Sequence, residues 1–366
     1  MRSSLRSFLS RTITESGYEQ ICSSDSGFDG SLWNQLAGSG WLDVAAMSSD
    51  GDEVSAWPIS GVHMGEEFGR ALVPAPVELV TGFLLPVLHR LAGFGPVLDD
   101  STFVDDLPAV TIEPALALIR AGAPRPGGLT VDTTADGTLS LSGSVPSVQF
   151  AASARTLYLP VSLGATWALA RIPLDQAGVA TVSTRSIDPG RTCATVVVTD
   201  VSVPAADVAT TAADGEPMAA VLAEALRSYL LVLDGKAIGA AQLLLEKTVA
   251  YVTQRTQFGV PVGSFQALKH RIADMATSIE AARSIASYAA WQVAQGHQDS
   301  TEMVLSSRIF CSEMYRNVCE SAIQCHGGMG FTWEQRLHYW YKSALFDAAV
   351  DGIAVEDLGR LLRKSA

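Results

Sequence analysis

The pattern of apolar and polar positions changes twice along the 366 residues. Up to about residue 108, short helical patterns alternate with glycine-rich turns. Trp33 and Leu36 stand one helical turn apart, and Gly38 and Gly40 close their run. His63 to Leu72 repeats the pattern and stops before Pro74 and Pro76. The stretch from Glu78 to Leu91 is apolar on nearly every face, which predicts a buried helix. From 109 to about 210, Thr, Val and Ser rise and strand alternation appears, at 139–142, 156–161, 167–171 and 195–199. Asp136-Gly137 ahead of Leu139 is a hairpin signal. Beyond 211 the chain reads as helix. Phe265, Leu268, Ile272, Met275, Ile279, Ala282, Ala286 and Ala289 recur at steps of three and four, the seam of an antiparallel bundle. The pattern predicts an α+β fold in three parts. These are an N-terminal helical domain (1–108), a middle β-barrel or sandwich domain (109–210) and a C-terminal four-helix bundle (211–366).

Composition narrows the function classes. A net charge of −13 with no Lys/Arg cluster speaks against nucleic acid, whose phosphates need concentrated positive charge. Five cysteines, odd in number and without paired short spacing, read as reduced thiols; neither a disulfide framework nor a metal site is expected. No membrane span is expected, because the longest apolar run, from Leu230 to Val252, is interrupted by Asp234, Lys236, Glu246 and Lys247. The first eleven residues are Arg- and Ser-rich and could imitate a transit peptide; an amphipathic helix with Leu5, Phe8 and Leu9 on one side is the preferred reading, with a cytoplasmic protein expected.

Candidate chemistry gathers in the last third. Arg255-Thr256-Gln257-Phe258-Gly259 offers a planar guanidinium of the kind that grips pyrophosphate. Gln266 and Gln324 can hydrogen-bond without adding charge. Gly327 and Gly328, in Gln324-Cys325-His326-Gly327-Gly328-Met329-Gly330, let backbone N–H groups approach a phosphate or ribose; a plain helix-to-helix turn would use the same glycines.

These motifs, with Trp33, Gly40-Trp41-Leu42 and Glu66-Glu67-Phe68-Gly69-Arg70, resemble the acyl-CoA dehydrogenase family over nearly the full length. The resemblance implies that Arg255, Gln257, Phe258, Gln266, Gln324, Gly327 and Gly328 contact the adenosine and pyrophosphate of an FAD bound mainly by a neighbouring subunit. It also implies an acyl-CoA substrate and reoxidation by electron-transfer flavoprotein. Two features depart from the family. Where it carries Thr-Glu-Pro and Trp-Ile-Thr segments that hold the flavin ring, this chain has 118–128 and Ser147-Val148-Gln149-Phe150. Where it carries a catalytic Glu, this chain has Val350-Asp351-Gly352; a second family position for the base falls near Tyr229, and Asp234 and Glu224 are weaker candidates, expected to be solvated or capping.

The combination resembles the half-site subunit of actinobacterial heteromeric dehydrogenases that act on steroid side-chain CoA thioesters. It implies an α2β2 tetramer in which this chain completes a homologous partner's FAD site. Two alternatives remain open at this point. One is a homotetrameric acyl-CoA dehydrogenase or nitroalkane-oxidase-like enzyme using Asp351 as base. The other is a structural or binding subunit without chemistry.

Overall fold

Helical regions flank a β-sandwich along the described chain. A computed structural model describes residues 2–24, 26–42, 57–91, 107–112, 114–119, 128–350 and 359. Helix α1 (Arg2–Thr12) buries Leu5 and Leu9. Helix α2 (Glu15–Ser23) is capped by Thr14, whose hydroxyl accepts from Gly17 N at 3.1 Å. Helix α3 (Gly30–Ala37) is capped by Asp29, which accepts from Ser31 N at 2.8 Å and buries Trp33 and Leu36 behind it. Helix α4 (Trp57–Ala71) leads to a buried run made of α5 (Val77–Leu79), a π-helical turn (Val80–Leu84) and α6 (Leu85–Leu88). This run is the all-apolar stretch that the sequence marks as buried.

The middle region holds two four-stranded sheets. One runs β1 (Pro108–Val110), β4 (Thr156–Leu163), β5 (Thr166–Pro173) and β8 (Val208–Ala209) in spatial order, with β1 and β4 parallel. The other runs β2 (Leu129–Thr133), β3 (Leu139–Gln149), β7 (Cys193–Val203) and β6 (Val179–Thr184), all antiparallel. Leu139, Leu141, Leu157, Leu159, Val196 and Val198 fill the space between the sheets. Alternation thus produces what it predicts, one face inward and one outward.

The C-terminal region comprises α7 (Met218–Gln254), a small hairpin of β9 (Thr256–Gln257) and β10 (Val260–Pro261), α8 (Gln266–Ala294), α9 (Ser300–His326) and α10 (Leu337–Val350). By length and composition α7 could cross a membrane, yet 89% of its apolar window lies inside the fold. It is apolar all round because it is the central helix. A single hydrophobic cluster joins α1–α6 to the bundle, and Phe150, Tyr158 and Leu169 of the middle region reach into it.

The tightest crossing is between α4 and α7. A methyl group built on Gly239 would lie 1.8 Å from Glu66 O, and one on Gly235 would lie 2.0 Å from Val62 O. From the other side, Gly65 and Gly69 meet the backbone of Val232 and Lys236 just as closely. Each helix therefore presents two glycines four residues apart, and the backbones touch with no side chain between them.

Two expectations are corrected here. Asp234 is neither solvated nor a cap: it is fully buried, accepts from Ser307 Oγ at 2.5 Å and pairs with Arg308 at 3.1 Å, which ties α7 to α9. The seam of α8 is buried only from Met275 onward; Phe265, Leu268 and Ile272 remain half-covered or exposed at the start of the helix. Periodicity marks one face of α8, but the length over which a neighbour covers that face is a tertiary property.

Candidate functional site

The end of α7, the start of α8 and the end of α9 lie at one end of the bundle. Tyr251 stacks on His326 with ring centroids 4.2 Å apart, and its hydroxyl donates to the His326 carbonyl at 3.4 Å. Arg255, Gln266, Gln324, Gly327 and Gly328 sit on or next to these three segments, Gln257 and Phe258 on the hairpin of β9 and β10, and all seven are exposed. No carboxylate among the described residues pairs with Arg255, so its donors are available. A methyl group placed on Gly327 or Gly328 would meet nothing within 4 Å, so the space over that backbone is open. Gly330 differs: a methyl there would strike Ile323 O at 2.4 Å, so this glycine serves packing.

Phe258 is held in an unusual way. It and Gly259 form the two-residue turn between β9 and β10, at φ of 55° and 81°. Tight hairpins need two positive φ values. Glycine adopts one freely, whereas a bulky aromatic there is a strained outlier of the kind that accompanies a function. The strain aims the ring outward: Phe258 is 93% exposed and stands edge-on to Phe265 at 6.3 Å. His326 lies beside the glycines. Burial lowers its pKa, against the Ala322 carbonyl that holds Nδ1 at 2.8 Å.

The segment Ser147–Phe150 presents the opposite picture. Phe150 is fully buried, at φ 56°, with its ring edge-on to Phe28 of the N-terminal region at 6.0 Å. Gln149 is buried and accepts from Arg191 at 3.0 Å; Arg191 also reaches Glu78 at 2.5 Å. Lys236 of α7 lies 3.6 Å from Glu78 and 2.7 Å from Asp347 of α10. Burial opposes the charge on Arg191, but Glu78, Asp347 and Asp188 together more than reverse it and raise the guanidinium pKa. Asp188, enclosed beside them, is raised by burial against the pull of Lys236 and Arg191. The cavity next to Arg191 and Lys236 measures about 10 Å³, room for one water at most. Buried ion pairs thus occupy the ground between the sandwich and the helices.

Residues 221–354 match the family model described as acyl-CoA dehydrogenase, C-terminal domain. Acyl-CoA dehydrogenase IpdE2 of Mycobacterium tuberculosis is 40% identical over 114 residues, 31% of this chain and 34% of that relative. The chain thus spans about a third of that relative's length. Among solved structures, a variant of the Tcur3481-Tcur3483 steroid ACAD superposes at a TM-score of 0.79, with 22% identity, over 100% of this chain and 97% of that one. The ChsE4-ChsE5 complex from Mycobacterium tuberculosis superposes at 0.78, with 20% identity, over 100% and 96%. The chain has the acyl-CoA dehydrogenase fold, closed by that family's C-terminal domain.

Within an acyl-CoA dehydrogenase fold, the seven exposed residues are the ones that the motifs single out. Asp351 and residues 120–127 lie outside the described residues. Tyr229 is buried and packs against Gly82 of the π turn. Glu224 is exposed and pairs with Arg90 at 3.2 Å. Trp333 is 66% exposed, with its ring against His338 and Tyr339 and Lys342 Nζ 5.6 Å from its centre. Sequence reasoning missed the Glu78, Arg191, Lys236 and Asp347 cluster. A signal existed: Glu78 and Lys236 each stand inside an otherwise apolar run, where an unpaired charge is rarely tolerated.

Proposed function

We propose that this chain is a subunit of an FAD-dependent acyl-CoA dehydrogenase that supplies the ADP-side half of the flavin site to a homologous partner chain. The reading rests on one contrast. The ADP-side residues are exposed, and no described carboxylate pairs with Arg255, whereas Gln149 and Phe150, at the family's ring-holding position, are buried and tied to the chain's own side chains. The residues therefore fit the adenosine and pyrophosphate of FAD and do not fit its ring. FAD, when bound, supplies the hydride acceptor for α,β-dehydrogenation of an acyl-CoA thioester. In this reading Arg255 donates to the pyrophosphate, Gly327 and Gly328 offer backbone N–H groups, Gln266 and Gln324 hydrogen-bond the nucleotide, and Phe258 covers it from the side. The partner chain contributes the ring pocket and the base. A steroid side-chain CoA substrate, an α2β2 assembly and reoxidation by an electron-transfer flavoprotein belong to the same proposal.

The test is the visible spectrum of the chain purified alone and with an acyl-CoA dehydrogenase encoded beside its gene. Flavin absorbance is expected only in the complex. Arg255→Ala in the complex is expected to weaken flavin retention by about tenfold or more, the worth of a charged hydrogen bond. Stoichiometric flavin on the lone chain overturns the reading.

A further inference from the structure

A second ligand site is built further back along α7. A cavity of about 630 Å³ opens between α1, α2, the end of α4, α7 and the start of α10, a size typical of small-molecule sites. Leu9, Leu72, Leu243, Tyr339 and Trp340 give it an apolar floor and wall. The indole N–H of Trp340 is buried without a hydrogen-bond partner among the described residues. None of the seven ADP-side residues lines this cavity. Lys247, which does, precedes Arg255 by eight residues, about 12 Å along the helix.

The mouth is cationic, and its cations are not equally committed. Arg6 gives its fork to Glu67, and Arg70 gives its own to Glu246. Lys247 and Arg336 share Glu15: Lys247 Nζ lies 3.2 Å from one oxygen, and Arg336 Nη1 donates to the other at 2.5 Å. Arg336 also reaches Glu19, and Lys247 sits 5.6 Å above the Trp340 ring. The Glu15 side chain is 64% exposed, at the first turn of a short helix, and is free to swing into solvent. It shows that a carboxylate bridging Lys247 and Arg336 is geometrically satisfied, directly above an apolar floor.

We propose that this cleft binds an amphipathic monocarboxylate. Its carboxylate takes the place of Glu15 between Lys247 and Arg336, and its hydrocarbon body lies on Leu243, Tyr339 and Trp340. Charge complementarity selects an anion, and Leu9, Leu72 and Leu243, which offer no donor or acceptor, favour a hydrocarbon body over a sugar or a nucleotide. The inference is independent of the flavin half-site.

Titration calorimetry on the full chain, in the assembly in which it purifies, tests the proposal with sodium decanoate and with decyltrimethylammonium, of matched chain length and opposite charge. Decanoate is expected to bind saturably and decyltrimethylammonium about tenfold or more weakly. Removing the internal competitor with Glu15→Gln is expected to tighten decanoate. Lys247→Gln with Arg336→Gln is expected to weaken it by about tenfold, and Leu243→Trp, which fills the floor, to abolish it. A partner chain's acyl pocket would ignore all of these changes. Equal affinity for the two probes, or decanoate binding that Glu15→Gln fails to tighten or Leu243→Trp leaves intact, overturns the proposal. The two surface variants keep the test valid if Leu243→Trp does not fold.

Discussion

Phe258 and Lys236 show how one residue's meaning depends on its surroundings. Phe258 sits at a positive φ with its ring in solvent, an arrangement that burial in this chain cannot explain. In the proposed half-site, the nucleotide held with the partner chain repays it. Lys236 is the reverse, 1% exposed and compensated entirely from within by Asp347 and Glu78. Breaking such a pair from one side strands buried charges. Lys236→Met is therefore expected to lower unfolding free energy by about 3–5 kcal/mol, because Glu78 and Asp347 lose their shared cation. Urea denaturation monitored by far-UV circular dichroism measures this; a change under about 1 kcal/mol would show that the network carries little of the fold's stability. At this scale the sequence was partly legible. The exposed set could be found because the motifs around Arg255, Gln266 and Gly327 resemble those of the acyl-CoA dehydrogenase family. Asp234 was misread because an acid in a helix looks the same on paper whether water or Arg308 faces it.

At the scale of elements, the α4–α7 crossing decides the shape of the helical half. Gly65 and Gly69 face Gly235 and Gly239, and the backbones lie in direct contact. Gly239→Ala inserts a methyl 1.8 Å from the Glu66 carbonyl, where the obstacle is backbone and cannot rotate away. The helix-propensity gain of alanine, about 1 kcal/mol, is outweighed by overpacking of about 1–3 kcal/mol or more. The expected result is a lower melting temperature, readable by calorimetry; Gly296→Ala, at a positive-φ turn with open space around it, separates strain at a turn from collision between helices. The helices and strands themselves were legible because each buries one face at a fixed period. The glycine pairs were not, since spacing alone does not say which other helix answers them.

For the whole molecule, charge holds the N-terminus in place. Arg2 and Arg6 of α1 pair with Glu66 and Glu67 of α4, and Arg283 of α8 reaches Glu66 as well. Burial works against ionisation of both carboxyls. For Glu66 it is offset by His63, Arg283 and Arg2, and for Glu67 by Arg6 and Arg2, so both pKa values fall below the ordinary 4.5. A depressed carboxyl contributes stability that is complete above its unfolded value and is lost as pH falls through its folded value. The clamp is therefore expected to hold at neutral pH and to release below 4.5. Hydrogen exchange of the α1 amides against pH checks this; protection that persists unchanged well below that pH would show that Leu5 and Leu9 alone secure the helix.

The sequence by itself determined the order and type of the elements, the sandwich between two helical parts, and the inventory of groups able to grip a nucleotide. These follow from relations within a few residues, at periods of two or 3.6, and from side-chain chemistry that does not depend on partners. Only the tertiary structure decided which way each group faces. Gln149 turns inward because Arg191, 42 residues away, holds it, and Lys236 is buried because Asp347 waits 111 residues further on. Arg255 and Phe258 stay outside because nothing described in the chain packs over that end of the bundle. Burial and pairing are settled by contacts between distant segments, and no local pattern records them.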